Sequence, residues 1–302
     1  MAGYIGNKAV GINVTTGDIL GDVGVGGDYF SKSLGTSNLR LGVNAGDSIA
    51  SGGNFNVCVG DEAGTALTTG DNNVAIGFEA LKTEDANGDN VAVGYQALKT
   101  LNAGEDGFNV AVGYLAGTAV TTGTNNCLIG SEAGDAITDG NTNVAVGSRS
   151  LTTNQRGDKN TAVGHKSLEN MNPSGDVDTF NTAIGFFAGN AVTTGTHNTL
   201  LGALAGDALT TGSFSVAVGY AALGSEDTTN NNTAVGYAAL STLNGGTQNT
   251  ALGQSAAAAM TTGNQNTIVG TNAGDSLTDA DYNVALGYAA LTTDTLGTSS
   301  VA

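Results

Sequence analysis

The chain has no tryptophan, one proline and two cysteines in 302 residues, and Phe, Tyr and Trp together make up only 5%. Basic residues are scarce as well: Lys plus Arg number 9 against 27 for Asp plus Glu, a formal charge of −18. Each shortage excludes something. Phosphate contacts need a basic patch, so nucleic acid is not expected as a partner. No run of 18 apolar residues occurs, so insertion into a membrane is not expected. Met1-Ala2-Gly3-Tyr4-Ile5-Gly6-Asn7 lacks a basic stretch followed by an apolar one, so it does not read as a signal peptide. With two histidines and two cysteines there is no zinc spacing, and no Ser–His–acid arrangement can be argued. The expectation is therefore no enzyme, no cofactor and no metal site.

What the chain has instead is glycine, 48 residues of it, without the Gly-X-Y period of collagen. Asn73-Val74-Ala75-Ile76-Gly77 recurs fifteen times, with copies ending at Gly42, Gly60, Gly77, Gly94, Gly113, Gly130, Gly147, Gly164, Gly185, Gly202, Gly219, Gly236, Gly253, Gly270 and Gly287. Eleven of the fourteen intervals are 17 residues and the others are 18, 19 and 21. A fixed period of this kind predicts an all-β parallel solenoid laid down rung by rung. No window sustains a helical period, because Gly recurs too often.

Stacking the copies gives five columns. The first is Asn except at Ser215, the second mostly Val or Thr, the third mostly Ala, the fourth always aliphatic and the fifth always Gly. A β-branched stretch closed by Gly predicts a short strand entering a turn. Columns two and four then share one face, and columns one and three the other. Neither carries charge beyond Arg40, which is the pattern of a strand covered on both sides. The Ala face is the one expected to need a second layer or another chain. Asn73, Asn90, Asn109 and Asn126 are expected to form a ladder of stacked amides, each donating to one neighbour and accepting from the other. Gly77, Gly94, Gly113 and Gly130 are expected where the turn demands positive φ or close backbone approach.

The second half of each repeat comes in two kinds, Ala-Gly (Ala116-Gly117) and Ala-Leu (Ala97-Leu98), alternating two by two, with Ala256-Ala257 once replacing Ala-Gly. The residue that follows is Asp at 47, 135, 207 and 275, never in two adjacent rungs, as repulsion between stacked like charges would require. His165 shares a column with Phe78, Tyr95, Tyr114 and Phe186, and reads as one member of an aromatic column. Cys58 and Cys127 lie four rungs apart, roughly 19 Å, too far for a disulfide, and read as small core residues. Paired threonines such as Thr121-Thr122 lead into Gly turns. Asp85-Ala86-Asn87-Gly88-Asp89 offers alternating oxygen ligands for Ca²⁺ but lacks the other positions of a calcium loop, and reads equally as a turn.

In chain order, residues 1–36 fall outside the repeat and read as an attachment segment, with Tyr4, Ile5 and Asn7 as candidate anchor residues. Residues 37–299 form the array, and residues 300–302 begin an incomplete rung. The two longest rungs carry insertions, Leu101 to Phe108 and Glu169 to Phe180. Insertions in solenoids map to surface loops, so Asn102, Glu105, Asp106, Asn170, Asn172, Asp176 and Asp178 are the candidate receptor-facing residues.

The Asn-Val-Ala-Val-Gly pentad, followed by Tyr-x-Ala-Leu and a Thr-Gly-x-Asn return, resembles the head repeats of YadA-type trimeric adhesins and similar arrays in phage tail-fibre proteins. The opening Ala-Gly-Tyr-Ile-Gly-Asn resembles the N-termini of structural proteins of marine, cyanophage-like viruses. These resemblances imply a left-handed β-roll, a homotrimer, and a place on the virion surface. The partners implied are a tail or capsid protein at the N-terminus and a host surface glycan or protein. Handedness and the number three come from the resemblance alone. The alternatives are a bacterial trimeric adhesin head and a glycan-cleaving tailspike.

Overall fold

The computed structural model describes residues 35–302 apart from 226 and 229; the candidate anchors Tyr4, Ile5 and Asn7 lie outside the described residues. Fifteen three-residue strands, from Leu39–Leu41 to Val284–Leu286, make one parallel sheet whose order is the order of the chain. No helix occurs among the described residues. Like lies over like: Val74 pairs with Val91, Ala75 with Ala92 and Ile76 with Val93. Backbone bonds of 2.7–2.8 Å, such as Val57 N–H to Asn73 O and Gly77 N–H to Val59 O, tie successive rungs. The two long rungs keep this register, Val91 opposite Val110 and Thr161 opposite Thr182, because their extra residues loop out. Val301 bridges Val284, so Ser300–Ala302 does continue the stack.

The rung turns on left-handed residues. In the third rung these are Asn72 (φ 59), Glu79 (φ 53) and Leu81 (φ 49), and the same three positions are left-handed throughout the array. The invariant glycine has a different task. Gly130 (φ 137) lies so close to the rung above that a Cβ there would sit 2.6 Å from the carbonyl carbon of Gly147. Only glycine allows both that angle and that approach.

The assignment of faces differs from the sequence expectation. The Ala face is the inside. Ala75, Ala92, Ala111 and Ala145 are 0% exposed and join Leu67, Leu81, Leu98 and Val120 in one continuous core. The β-branched face, columns two and four, is the outside and is half-exposed to exposed. The expectation fails because β-branching reports fit to a pleated strand, not depth. A coil of 17 residues encloses a narrow interior, and one wall must be Ala for the opposite wall to be Leu.

That narrowness also explains the two kinds of rung. Column three is larger than Ala at Cys58, Leu128, Leu200 and Ile268, always four rungs apart and always in the second Ala-Gly rung of a pair. A Cβ on Gly117 would meet Leu128 Cδ1 at 2.7 Å, and one on Gly134 would meet Leu128 Cδ2 at 2.8 Å. Leu200 fills the same space beside Gly189 and Gly206. Where column three is Ala, Leu81, Leu98, Leu151 or Leu168 supplies the volume from the other wall. The four-rung cassette is thus a unit of core packing at constant density.

The Asn column is buried throughout and bonds chiefly to backbone. Asn126 Oδ1 accepts the Asn143 N–H at 3.0 Å, and Asn126 Nδ2 donates to Gly140 O at 2.9 Å. Amide-to-amide contacts of the expected kind accompany these, Asn90 to Asn73 at 3.3 Å and Asn126 to Asn109 at 3.2 Å. Each side chain satisfies a strand-entry donor and a turn acceptor that would otherwise be buried without partners.

Candidate binding surfaces

Exposed large apolar side chains are concentrated on one side of the coil. Apart from Val177 and Leu296, every one among the described residues belongs to column two, column four, the residue before the Asn or the residue after the strand Gly. These four columns alternate with inward-pointing Asn and Ala. Columns two and four contain no charged residue in any rung, on a chain whose net charge is −18. The outer sheet face is therefore a long, flat, uncharged surface.

Aromatic columns flank it. Behind the strand Gly, Phe78, Tyr95 and Tyr114 stack at 5.4–5.5 Å between ring centres, Tyr220 stacks on Tyr237, and His165 on Phe186 as expected. The second column was not anticipated. Phe180, His197 and Phe214 stack at 4.9–5.1 Å, and Lys159 Nζ lies 5.2 Å from the Phe180 ring. The signal was available, because Phe55, Phe108, Phe180, Phe214 and Tyr282 all immediately precede the column-one residue. All five are left-handed, φ 50 to 60, and all are exposed. A bulky residue there costs about 1–2 kcal/mol that Asn or Gly would avoid. Burial within the chain does not offset that cost, so contact with something outside it is the physical reason for their presence.

The seven candidate receptor residues are all exposed, but the structure does not gather them into one site. Asn102, Glu105 and Asp106 lie in a loop closing the fourth rung, and Asp106 Oδ1 accepts the Gly88 N–H at 3.0 Å. Asn170, Asn172, Asp176 and Asp178 lie in the loop that closes the eighth. There Val177–Asp178 pairs in parallel with Gly157–Asp158, a two-stranded ladder beside the main sheet. Asp178 binds Lys159 at 2.6 Å, and Asn170 Nδ2 donates to Asn190 O at 3.0 Å. Burial, with Asp176 and Asp178 nearby, raises the pKa of Asp158. The ends of the insertion are structural: Glu169, Met171 and Thr179 are buried.

Every basic residue among the described ones lies in an ion pair. Glu79 receives Lys82 at 2.7 Å, Lys99 at 2.6 Å and Gln96 at 2.7 Å, and hydrogen bonds from Lys82 and Lys99 lower its pKa to about 2. Asp135 has the opposite environment. Its Oδ1 is buried without a hydrogen-bond partner, and burial together with Glu132 raises its pKa to about 6. At the candidate calcium turn, Asp89 accepts from Asn72 and Asn87 binds Glu84, while Asp85 offers its backbone carbonyl to Thr68. No group of three metal-ligating side chains occurs among the described residues. The threonine pairs also bond inward, Thr121 Oγ1 donating to Thr138 O at 3.0 Å.

The two cysteines differ. Cys58 is core, and its burial pushes the thiol up to about 11; Cys127, expected in the core as well, points out of column two and is partly exposed. Comparison of the chain with family models, with curated proteins and with solved structures gives no match.

Proposed function

We propose that this chain is the non-enzymatic shaft of a virion fibre, a homotrimer in which the outer sheet faces are turned toward one another. The single observation that carries the reading is the outer face itself: columns two and four hold no charge in any rung of a strongly acidic chain. Like-charged copies can meet there without repulsion, and apolar surface of that extent on a soluble particle marks an interaction site. Fifteen rungs at ~4.8 Å make a shaft of roughly 70 Å. A strip that long and ~10 Å wide gives each copy about 700 Å², close to one partner's share of a standard interface. The inserted loops at 101–108 and 169–180 then project sideways, where a host surface glycan or protein can be met.

Sedimentation equilibrium of the purified chain tests the association, with three chain masses expected and a monomer overturning it. Recognition is tested separately. Replacing Asp176 and Asp178 by Ser in the intact trimer is expected to reduce adsorption of particles to host cells. Unchanged adsorption, with Asn102, Glu105 and Asp106 replaced as well, would leave the protein a spacer only.

A further inference from the structure

Column two is not uniform along the axis. Rungs two to seven present Val57, Val74, Val91, Val110, Cys127 and Val144, whereas six of the next eight present Thr, at 161, 182, 199, 233, 250 and 267. These threonines point outward and are half-exposed or exposed. Their hydroxyls have no hydrogen-bond partner among the described residues. Water serves them while the face is open. Once it is covered, each needs a partner or bears the cost of an unsatisfied buried hydroxyl.

We infer that copies of this chain meet through the outer sheet face in parallel and in register, each rung at the height of the same rung in its neighbour. This rests on the self-association proposed above and specifies its geometry. In register, Val rows meet Val rows and Thr rows meet Thr rows, and a hydroxyl that both donates and accepts can bond to its own kind across the interface. Reversal sets the second rung against the fourteenth and the sixth against the tenth. Val57 would then face Thr267, Val74 Thr250, Val91 Thr233, Cys127 Thr199 and Val144 Thr182, leaving each of those hydroxyls against carbon or sulfur. A stagger of a few rungs mismatches the boundary between the two halves in the same way.

The chain carries its own probe. Cys127 sits on this face in the sixth rung, and Cys58 is buried with an unreactive thiol. In register, Cys127 of one copy lies level with Cys127 of the next. Reversed, the two are four rungs apart, ~19 Å, beyond disulfide geometry. The experiment treats the full chain with a mild oxidant and, in parallel, with a short bismaleimide, and runs it on a denaturing gel. The expected result is a covalent dimer that survives Cys58→Ser and disappears in Cys127→Ser. The Thr199→Cys variant supplies the opposing outcome: a 127-to-199 link between chains, identified by peptide mass, would show the reversed arrangement. An assembled protein without a 127-to-127 link overturns the register and leaves association intact. A monomer in sedimentation overturns the association beneath it.

Discussion

Leu128 Cδ1 lies where a side chain on Gly117 would begin, 2.7 Å from the Cβ position, although the two residues belong to different rungs. The cavity they share can be filled from one wall or the other, not from both. Leu128→Ala empties it and is expected to cost about 3 kcal/mol. Gly117→Leu overfills it and is expected to cost about 1–3 kcal/mol. The double variant copies the arrangement of the Ala-Leu rungs, in which Leu98 occupies the position equivalent to Gly117 with φ 47. Its unfolding midpoint in urea is expected to lie well above that implied by adding the two single losses, and additive losses would refute the shared cavity.

Asp135 titrates in a window where most carboxylates do not. Its folded pKa of about 6 exceeds the ordinary 3.8, because burial and Glu132 both disfavour the charged form. A raised carboxyl pKa means the folded state binds its proton more tightly than the unfolded state does. The site therefore favours folding fully below pH 3.8, and that contribution is lost as pH rises through 6. Asn occupies the equivalent position at Asn190, donating to Glu169 at 2.9 Å. Asp135→Asn is thus expected to raise the melting temperature at pH 8 and to leave it nearly unchanged at pH 3.5. An equal shift at both values would show that charge is not the cause.

The fold was legible because it repeats. A period of 17 with Asn and Gly at fixed positions leaves few architectures, and Asn73 stacked on Asn56 is what that period demands. Which face lay inside was not legible from Val74 and Ala75, since strand propensity is blind to the width of the interior, and only the opposite wall at Leu81 decides it. Cys127 was misread for the same reason. The candidate surfaces were half legible. The insertions stood out by length, whereas Phe180, His197 and Phe214 were hidden by being read as turn residues instead of as a column. That Asn170 and Asn102 belong to separate loops follows from counting rungs; that Glu169 is buried beneath one of them does not.

The strand glycines and the loop glycines should respond differently to a methyl group. At Gly113 (φ 144) a Cβ would lie 2.6 Å from the carbonyl carbon of Gly130, so rungs must separate to admit it. Gly104 (φ 77) sits in an inserted loop, and a Cβ there meets nothing within 4 Å. Gly113→Ala is expected to lose at least about 2 kcal/mol, combining backbone strain with the clash. Gly104→Ala is expected to lose about 1 kcal/mol from strain alone. Thermal melts of the two variants decide the matter, and similar losses would mean that the approach of adjacent rungs can relax.

The Asn ladder has a sharper signature in pH. At Asn126 one atom accepts from the Asn143 N–H and the other donates to Gly140 O. Asn126→Asp keeps the shape and the acceptor but, when ionised, turns the donor into a second acceptor facing a carbonyl. Burying that charge among amides is expected to cost about 2–4 kcal/mol at pH 7. Protonation restores a donor toward Gly140, so the folded pKa of the introduced acid must lie above the ordinary value of about 3.9. Its penalty is then absent below that value and grows as pH rises through the folded pKa. Melting temperatures of the variant and the parent are expected to converge near pH 3 and to separate steadily toward pH 7. Asn126→Ala, which loses both bonds at every pH, should show a constant difference. If the Asp variant tracked the Ala variant instead, the amide would be filling space in this column and its hydrogen bonds would contribute little to holding the rungs together.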